Sequence, residues 1–218
     1  MNYRIQTREL ADAILSILSE TWHGTGTELV YANCFELLVA VILSAQCTDD
    51  QVNRVTPLLF KTWPDAESLA EADINQLEKA VYSTGFYHHK ARNIKESARK
   101  IRDEYRGEVP QSFEELLKLP GVGRKTAHLV MSLCFNEPGL IIDTHVLRIA
   151  KRTGLALTQD PYKMEVLLGG IIPRKQHAEA SFALNRQAKF ICTARKPNCE
   201  ECSIARCCLS VSPENFSA

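Results

Sequence analysis

Apolar residues recur at helical spacing along nearly the whole chain. Leu10, Ile14, Ile17 and Leu18 fall on one face of a first predicted helix, and Ile94, Ala98, Ile101 and Tyr105 mark another within residues 88–106. The stretch from Cys34 to Gln46 is apolar all round and predicts a helix buried in a core. Its LVAVIL run also suits a buried strand, but no turn signals or partner strands flank it. Pro57 is expected to end or kink a helix that begins near Asp50. Ser112-Phe-Glu-Glu115 reads as a capping box opening a short helix that stops at Pro120. Asp160-Pro161 reads as an N-cap with proline at the first helical position. No hairpin alternation, long-period repeat or low-complexity tract interrupts the pattern. The prediction is an all-α protein whose polar tail after Cys208 frays.

Composition narrows the class. With 218 residues, 45% of them hydrophobic and 24% charged, the chain has the balance of a globular protein of one large or two small domains. The longest apolar run, Leu37 to Leu43, is too short to span a bilayer, so no membrane partner is expected. The first residues, MNYRIQTRELAD, lack the basic-then-apolar pattern of a leader. An intracellular location follows as an expectation, cytoplasm or nucleoid in a bacterium, where thiols stay reduced. The formal net charge of zero argues against a globally basic nucleic-acid binder. The charge is uneven, however: residues 138–218 carry 11 basic and 7 acidic side chains, whereas residues 27–137 carry 13 and 16. A cationic C-terminal portion is compatible with a local footprint on phosphates. The basic stripe Arg92, Lys95, Arg99, Arg102 and Arg106 is interleaved with acidic residues at helical spacing and reads as a solvated face.

Candidate chemistry concentrates in two stretches. Leu119-Pro-Gly-Val-Gly-Arg-Lys-Thr-Ala127 lies between two helical segments. Gly121 and Gly123 permit a tight turn with positive φ and leave backbone N–H groups uncovered. The helix that follows offers its N-terminus to an anion, and Arg124 and Lys125 add charge there. A plain αα-turn with packing glycines fits the same spacing. The second stretch is Cys192-TARKPN-Cys199-EE-Cys202-SIAR-Cys207-Cys208, five of the chain's eight cysteines. Four thiolates make a zinc site or an iron–sulfur cluster. Spacing alone chooses neither the metal nor between Cys207 and Cys208. Cys34, Cys47 and Cys134 sit in apolar contexts and read as small buried hydrophobes.

Together these stretches resemble the endonuclease III family of DNA base-excision glycosylases. Leu119 to Ala127 looks like that family's helix-hairpin-helix, and Leu43-SAQCTD-Asp49, Ile142-DTHVLR-Arg148 and the cysteine run match it in order, from the first helix to Cys208. The resemblance implies two helical domains with a DNA-binding cleft between them: residues 27–137 ending in the hairpin, and residues 1–26 with 138–218 forming an iron–sulfur domain. It implies a bifunctional DNA glycosylase and AP lyase of base excision repair, a monomer acting on oxidised pyrimidines in duplex DNA. Lys125 is then the nucleophile that forms a Schiff base, and Asp143 the carboxylate that takes up a proton and stabilises the sugar cation. Partial desolvation of Lys125 beside Arg124 is expected to favour the neutral amine. A simple phosphate contact for Lys125 and an N-cap for Asp143 are the plainer readings, and the cap fits alongside catalysis.

The same resemblance assigns Cys192, Cys199, Cys202 and Cys208 to a [4Fe–4S] cluster, leaves Cys207 spare, and gives Arg195 and Lys196 to the DNA backbone. It maps the residues that fill the gap left by an extruded nucleotide onto Gln46 and Phe86. Gln46 is expected as a buried amide, and for Phe86 core packing and an exposed wedge both fit. Asp49 and His145 match positions near the family's site, with an N-cap and a structural hydrogen bond as their plainer roles. The segment Ser181-FALNRQAKFI departs from the family, which often carries a histidine-rich stretch there. The rival classes are a non-catalytic helix-hairpin-helix protein and a monofunctional mismatch glycosylase.

Overall fold

The computed structural model describes residues 5–22, 24 and 26–216. Among them every regular element is helical: α1 Arg8–Thr21, α2 Cys34–Leu43, α3 Asp49–Thr62, α4 Ala66–Glu71, α5 Ile74–Val81, α6 Tyr87–Tyr105, α7 Phe113–Leu116, α8 Arg124–Phe135, α9 Thr144–Thr153, α10 Pro161–Ile171 and α11 His177–Phe190. The chain divides into two compact units, Thr27–Glu137, and Met1–Gly26 with Pro138–Ala218.

In the first unit α2 is the core. Residues Leu37 to Leu43 are all buried, and the helix packs against α3, α6 and α8. An all-round apolar helix is stable only when neighbours cover every face, and here they do. The helix stops at Leu43, three residues short of Gln46. Pro57 does not end α3, which continues to Thr62. Proline removes one ladder hydrogen bond, and the buried Val52, Thr56 and Leu59 hold the helix together across it. The capping box before α7 is half made. Ser112 accepts from the Glu115 N–H, but the Glu115 carboxylate instead accepts from the Tyr105 hydroxyl and pairs with Lys118. Cys34 and Cys134 are not isolated hydrophobes: a disulfide with Cα atoms 5.7 Å apart joins the start of α2 to the end of α8.

The second unit packs α1 and α9 on α11. Leu10, Ile14 and Leu18 of α1 meet Val146 and Ile149 of α9 and Ala180, Leu184 and Ala188 of α11 in one core. Asp160 caps α10 at the Lys163 N–H with Pro161 in the first turn, as its sequence predicts. The tail is tied down rather than frayed. Ser210 donates from both its N–H and its hydroxyl to the Arg152 carbonyl, Asn215 donates to the Arg206 carbonyl, and Phe216 packs on the core. The last two residues of the tail lie outside the described residues.

Candidate nucleic-acid and catalytic site

The hairpin is built around one glycine. Gly121 has φ 81°, and a Cβ there would meet Asn93 Nδ2 at 2.9 Å and Ile42 Cγ2 at 3.1 Å. Ser97 on α6 donates to the Pro120 carbonyl at 2.8 Å and anchors the turn from below. Gly123 is different from expectation: its φ is −99° and its backbone extended, so no left-handed conformation requires glycine there. Its role is absence. Gly123 is the N-cap of the twelve-residue α8, and no side chain caps that end. Arg124 and Lys125 occupy the first turn, both exposed, so the partial desolvation expected for Lys125 is not present. The Arg124 guanidinium lies 4.9 Å from the centroid of the Phe113 ring, which also stacks on His128.

Two loops of the same unit carry Gln46 and Phe86. Both residues have positive φ, 53° and 48°, a conformation costly for side chains of this size. Gln46 is exposed, not a buried amide, because the chain has left α2 before reaching it. Phe86 is 64% exposed, which resolves the choice between core and surface. Sequence reasoning missed what braces these loops. Lys90 is only 4% exposed and donates to the Thr84 carbonyl at 2.6 Å, two residues before Phe86. Burial pushes its pKa down, and nearby Cys47, next to Gln46, acts in the opposite sense. Gln51 donates to Ser83 at 2.8 Å and links the same two segments. The signal was in the sequence: Lys90 falls four residues before Ile94, on the buried stripe of α6. Asp49 is the first residue of α3, not its cap, a role taken by Thr48.

In the other unit Asp143 is the N-cap of α9. Its Oδ1 accepts from the N–H groups of His145 at 3.0 Å and Val146 at 2.8 Å, and its Oδ2 accepts from Asn185 Nδ2 at 2.6 Å. His145 Nδ1 lies 3.2 Å from an Arg148 guanidinium nitrogen. Asn185 was not singled out from sequence, because its partner lies 42 positions away. Further along α9, Arg148 donates to the carbonyls of Cys192 and Ala188, and Arg152 to those of Cys192, Thr193 and Ala194. The loop they hold presents Arg195 and Lys196, both exposed. Asn198 donates to Glu201 at 2.6 Å, which directs that carboxylate toward the loop's own amide.

Cys192, Cys199, Cys202 and Cys208 line a cavity of about 170 Å³, closed by Ile149, Ile191, Ile204 and Val211. Cys207 is not among the lining residues; it is 3% exposed and belongs to the hydrophobic core. Burial pushes the Cys202 and Cys208 thiols up, and the facing Cys192 sulfur adds to this in both. Polar hydrogens nevertheless aim at the sulfurs. Gln187 Nε2 donates to Cys202 Sγ at 3.3 Å and Arg152 to Cys192 Sγ at 3.2 Å. Gln187 is 1% exposed, and its Oε1 accepts from the Trp22 indole at 2.7 Å. Thus the segment that departs from the family in sequence supplies contacts to both Asp143 and the cysteines.

Residues 39–174 match the family model of the HhH-GPD superfamily base excision DNA repair proteins. The chain is 45% identical to endonuclease III of Synechocystis sp. over 93% of each chain, and 35% identical to that of Escherichia coli over 89% of this chain and 92% of the other. It is also similar to the solved structure of a trapped endonuclease III–DNA covalent intermediate, with 36% identity and a TM-score of 0.90 over 95% of this chain and 98% of the other. A thermostable thymine-DNA glycosylase shares the fold at 22% identity and a TM-score of 0.84, over 94% of this chain and 98% of the other.

Proposed function

The chain belongs to the endonuclease III family within the HhH-GPD superfamily of base excision DNA repair proteins, and on that premise we propose that it is a bifunctional glycosylase and AP lyase acting on oxidised pyrimidines in duplex DNA. The observation that carries the reading is the start of α8: a long helix opened by glycine, without a side-chain cap, with Arg124 and Lys125 in its first turn. Uncovered N–H groups and two cations attract a DNA phosphate and bring an amine to the strand.

In the proposed reaction the neutral Lys125 amine attacks C1′ as the glycosidic bond breaks. The base leaves with the bonding electrons as an anion that takes a proton from water, and Asp143 accepts the proton released by the amine. Until then the ionised carboxylate stabilises the developing positive charge on the sugar. Ring opening gives a Schiff base on Lys125. Loss of a C2′ proton then expels the 3′ phosphate by β-elimination, and water releases the enzyme. The covalent complex solved for the similar endonuclease III supports a covalent route. Gln46 and Phe86, exposed and held in left-handed turns, are the proposed wedge for the gap left by the extruded nucleotide. Gly121, Gly123 and Arg124 form the phosphate clamp, with Arg195 and Lys196 as further phosphate contacts.

The cysteine donor set fits a [4Fe–4S] cluster. Four thiols line one cavity, and four thiolates are the donor set such a cluster takes. The cluster would be held by Cys192, Cys199, Cys202 and Cys208. It would supply a structural cross-link, since neither hydrolysis nor β-elimination transfers electrons. Cys207→Ser is expected to keep the visible absorption of the anaerobically purified protein, and Cys208→Ser to lose or weaken it.

Borohydride trapping on duplex DNA containing an oxidised pyrimidine or an abasic site tests the activity. A covalent adduct is expected, and Lys125→Gln should remove it with a loss of at least ~10³-fold in strand cleavage. No adduct on any of these substrates overturns the lyase reading in favour of a binding module or a monofunctional glycosylase.

A further inference from the structure

Asp143 has fewer open acceptor sites than its position suggests. An ionised carboxylate offers roughly four lone-pair directions. Two on Oδ1 are taken by the N–H groups of His145 and Val146, and one on Oδ2 by the Asn185 amide. One direction is left, on Oδ2. The two backbone donors belong to any aspartate N-cap, but the third is a side chain brought in from α11 by packing.

Asn185 is held to its task from both sides. One turn earlier on α11, the Ser181 hydroxyl accepts from the Ile141 N–H at 2.9 Å, which ties the helix to the segment leading into Asp143. One turn later, Arg148 of α9 donates to the Ala188 carbonyl at 2.7 Å. Residues 181, 185 and 188 lie on one face of α11. All three tie that helix to α9 or to the segment entering it, and only the middle one ends on the carboxylate. Removing the middle tether therefore leaves the packing of α11 held by the other two.

We propose that Asn185 is a positioning residue for the base-excision step: it fixes the Asp143 carboxylate and leaves one Oδ2 lone pair as its acceptor for the reacting proton. The inference rests on the reading of Asp143 as the carboxylate of the reaction. Its distinctive consequence is a loss of rate without a loss of DNA binding or of stability, because the amide acts on the orientation of a group and touches no phosphate.

The test uses the full protein with its cluster, in single-turnover excision of an oxidised pyrimidine. Affinity for a duplex with an uncleavable tetrahydrofuran abasic site and the thermal midpoint are measured in parallel. Asn185→Leu keeps the branching at Cγ and removes the donor. It is expected to slow excision about 10- to 100-fold while the affinity, the midpoint and the visible absorption stay at wild-type values. Asn185→His carries an Nδ1–H close to the position of the asparagine amide and should recover most of the rate. If leucine does not fold there, Asn185→Ala removes the donor without adding apolar bulk and is expected to show the same split. Excision at the wild-type rate in Asn185→Leu overturns the proposal, as does a rate that falls only in step with affinity or midpoint. Asp143→Asn, run alongside, separates the two layers. If it excises at the wild-type rate, the reading of Asp143 has failed. If it is inactive while Asn185→Leu is normal, only the role of Asn185 has.

Discussion

Two helix starts in this protein face the same physical problem and solve it in opposite ways. At α9 the Asp143 carboxylate closes over the first turn, accepts from two of its N–H groups and is itself held by Asn185. At α8 the cap is Gly123, and no side chain covers the end. A glycine at the N-cap forgoes only about a few tenths of a kcal/mol that a Ser, Asp or Asn would return. The lesson is that one helix start is satisfied from within, while the other is covered by no side chain, which is where the proposed reading puts a phosphate. The cost of an open end is small enough for a domain to carry, and the resulting electrostatic site is ready before its ligand arrives.

Closing one end and opening the other are the sharpest ways to test this contrast. The largest effect is expected from Asp143→Ala, which uncaps α9 and removes the carboxylate together. Excision should fall by at least ~10³-fold, and stability by about 1 kcal/mol in a denaturant titration. Asp143→Asn should lose comparable activity but retain most of the stability, because an amide oxygen still caps the turn. A rate loss in alanine alone would make Asp143 a structural cap only. The smaller effect is the converse substitution, Gly123→Asp. Open space around the Cβ position and an extended φ mean that no strain opposes it. The new carboxylate should raise the stability slightly, by about a few tenths of a kcal/mol, and weaken binding to duplex DNA about tenfold or more at low salt. Unchanged affinity would show that α8 does not meet a phosphate.

How far each part could be read beforehand follows from the range of the interactions that shape it. The all-helical fold was legible because α1, α2 and α6 bury stripes that recur every three or four residues. Asp160-Pro161 and Asp143-Thr-His fixed helix starts because capping acts within three residues. Pro57 did not end its helix for the complementary reason: its local preference was overruled by burial on both sides of it. The tail misled, since a polar sequence does not reveal that the Arg152 carbonyl waits for it. At the candidate site the glycine turn was visible, but the brace behind it was not. Lys90, Asn185 and Gln187 act on groups brought near by tertiary packing, and an amide or ammonium in an apolar stripe announces only that some partner exists. Gly123 shows a subtler limit, because a glycine kept for its missing side chain has the same letter as one kept for its backbone angle.

One consequence follows from how α9 grips the cysteine loop. Arg148 and Arg152 take hold of main-chain carbonyls at Ala188, Cys192, Thr193 and Ala194, and of a single sulfur, rather than of the side chains at the loop's tip. Every amino acid supplies a carbonyl, so Ala194, Arg195 and Lys196 can be exchanged without releasing the grip. The proposed phosphate contact of Arg195 and Lys196 is thereby uncoupled from the placement of Asp143 at the other end of the same helix. On that reading a lineage, or an engineer, can rewrite how tightly the loop holds its target while the proposed chemistry stays where it was.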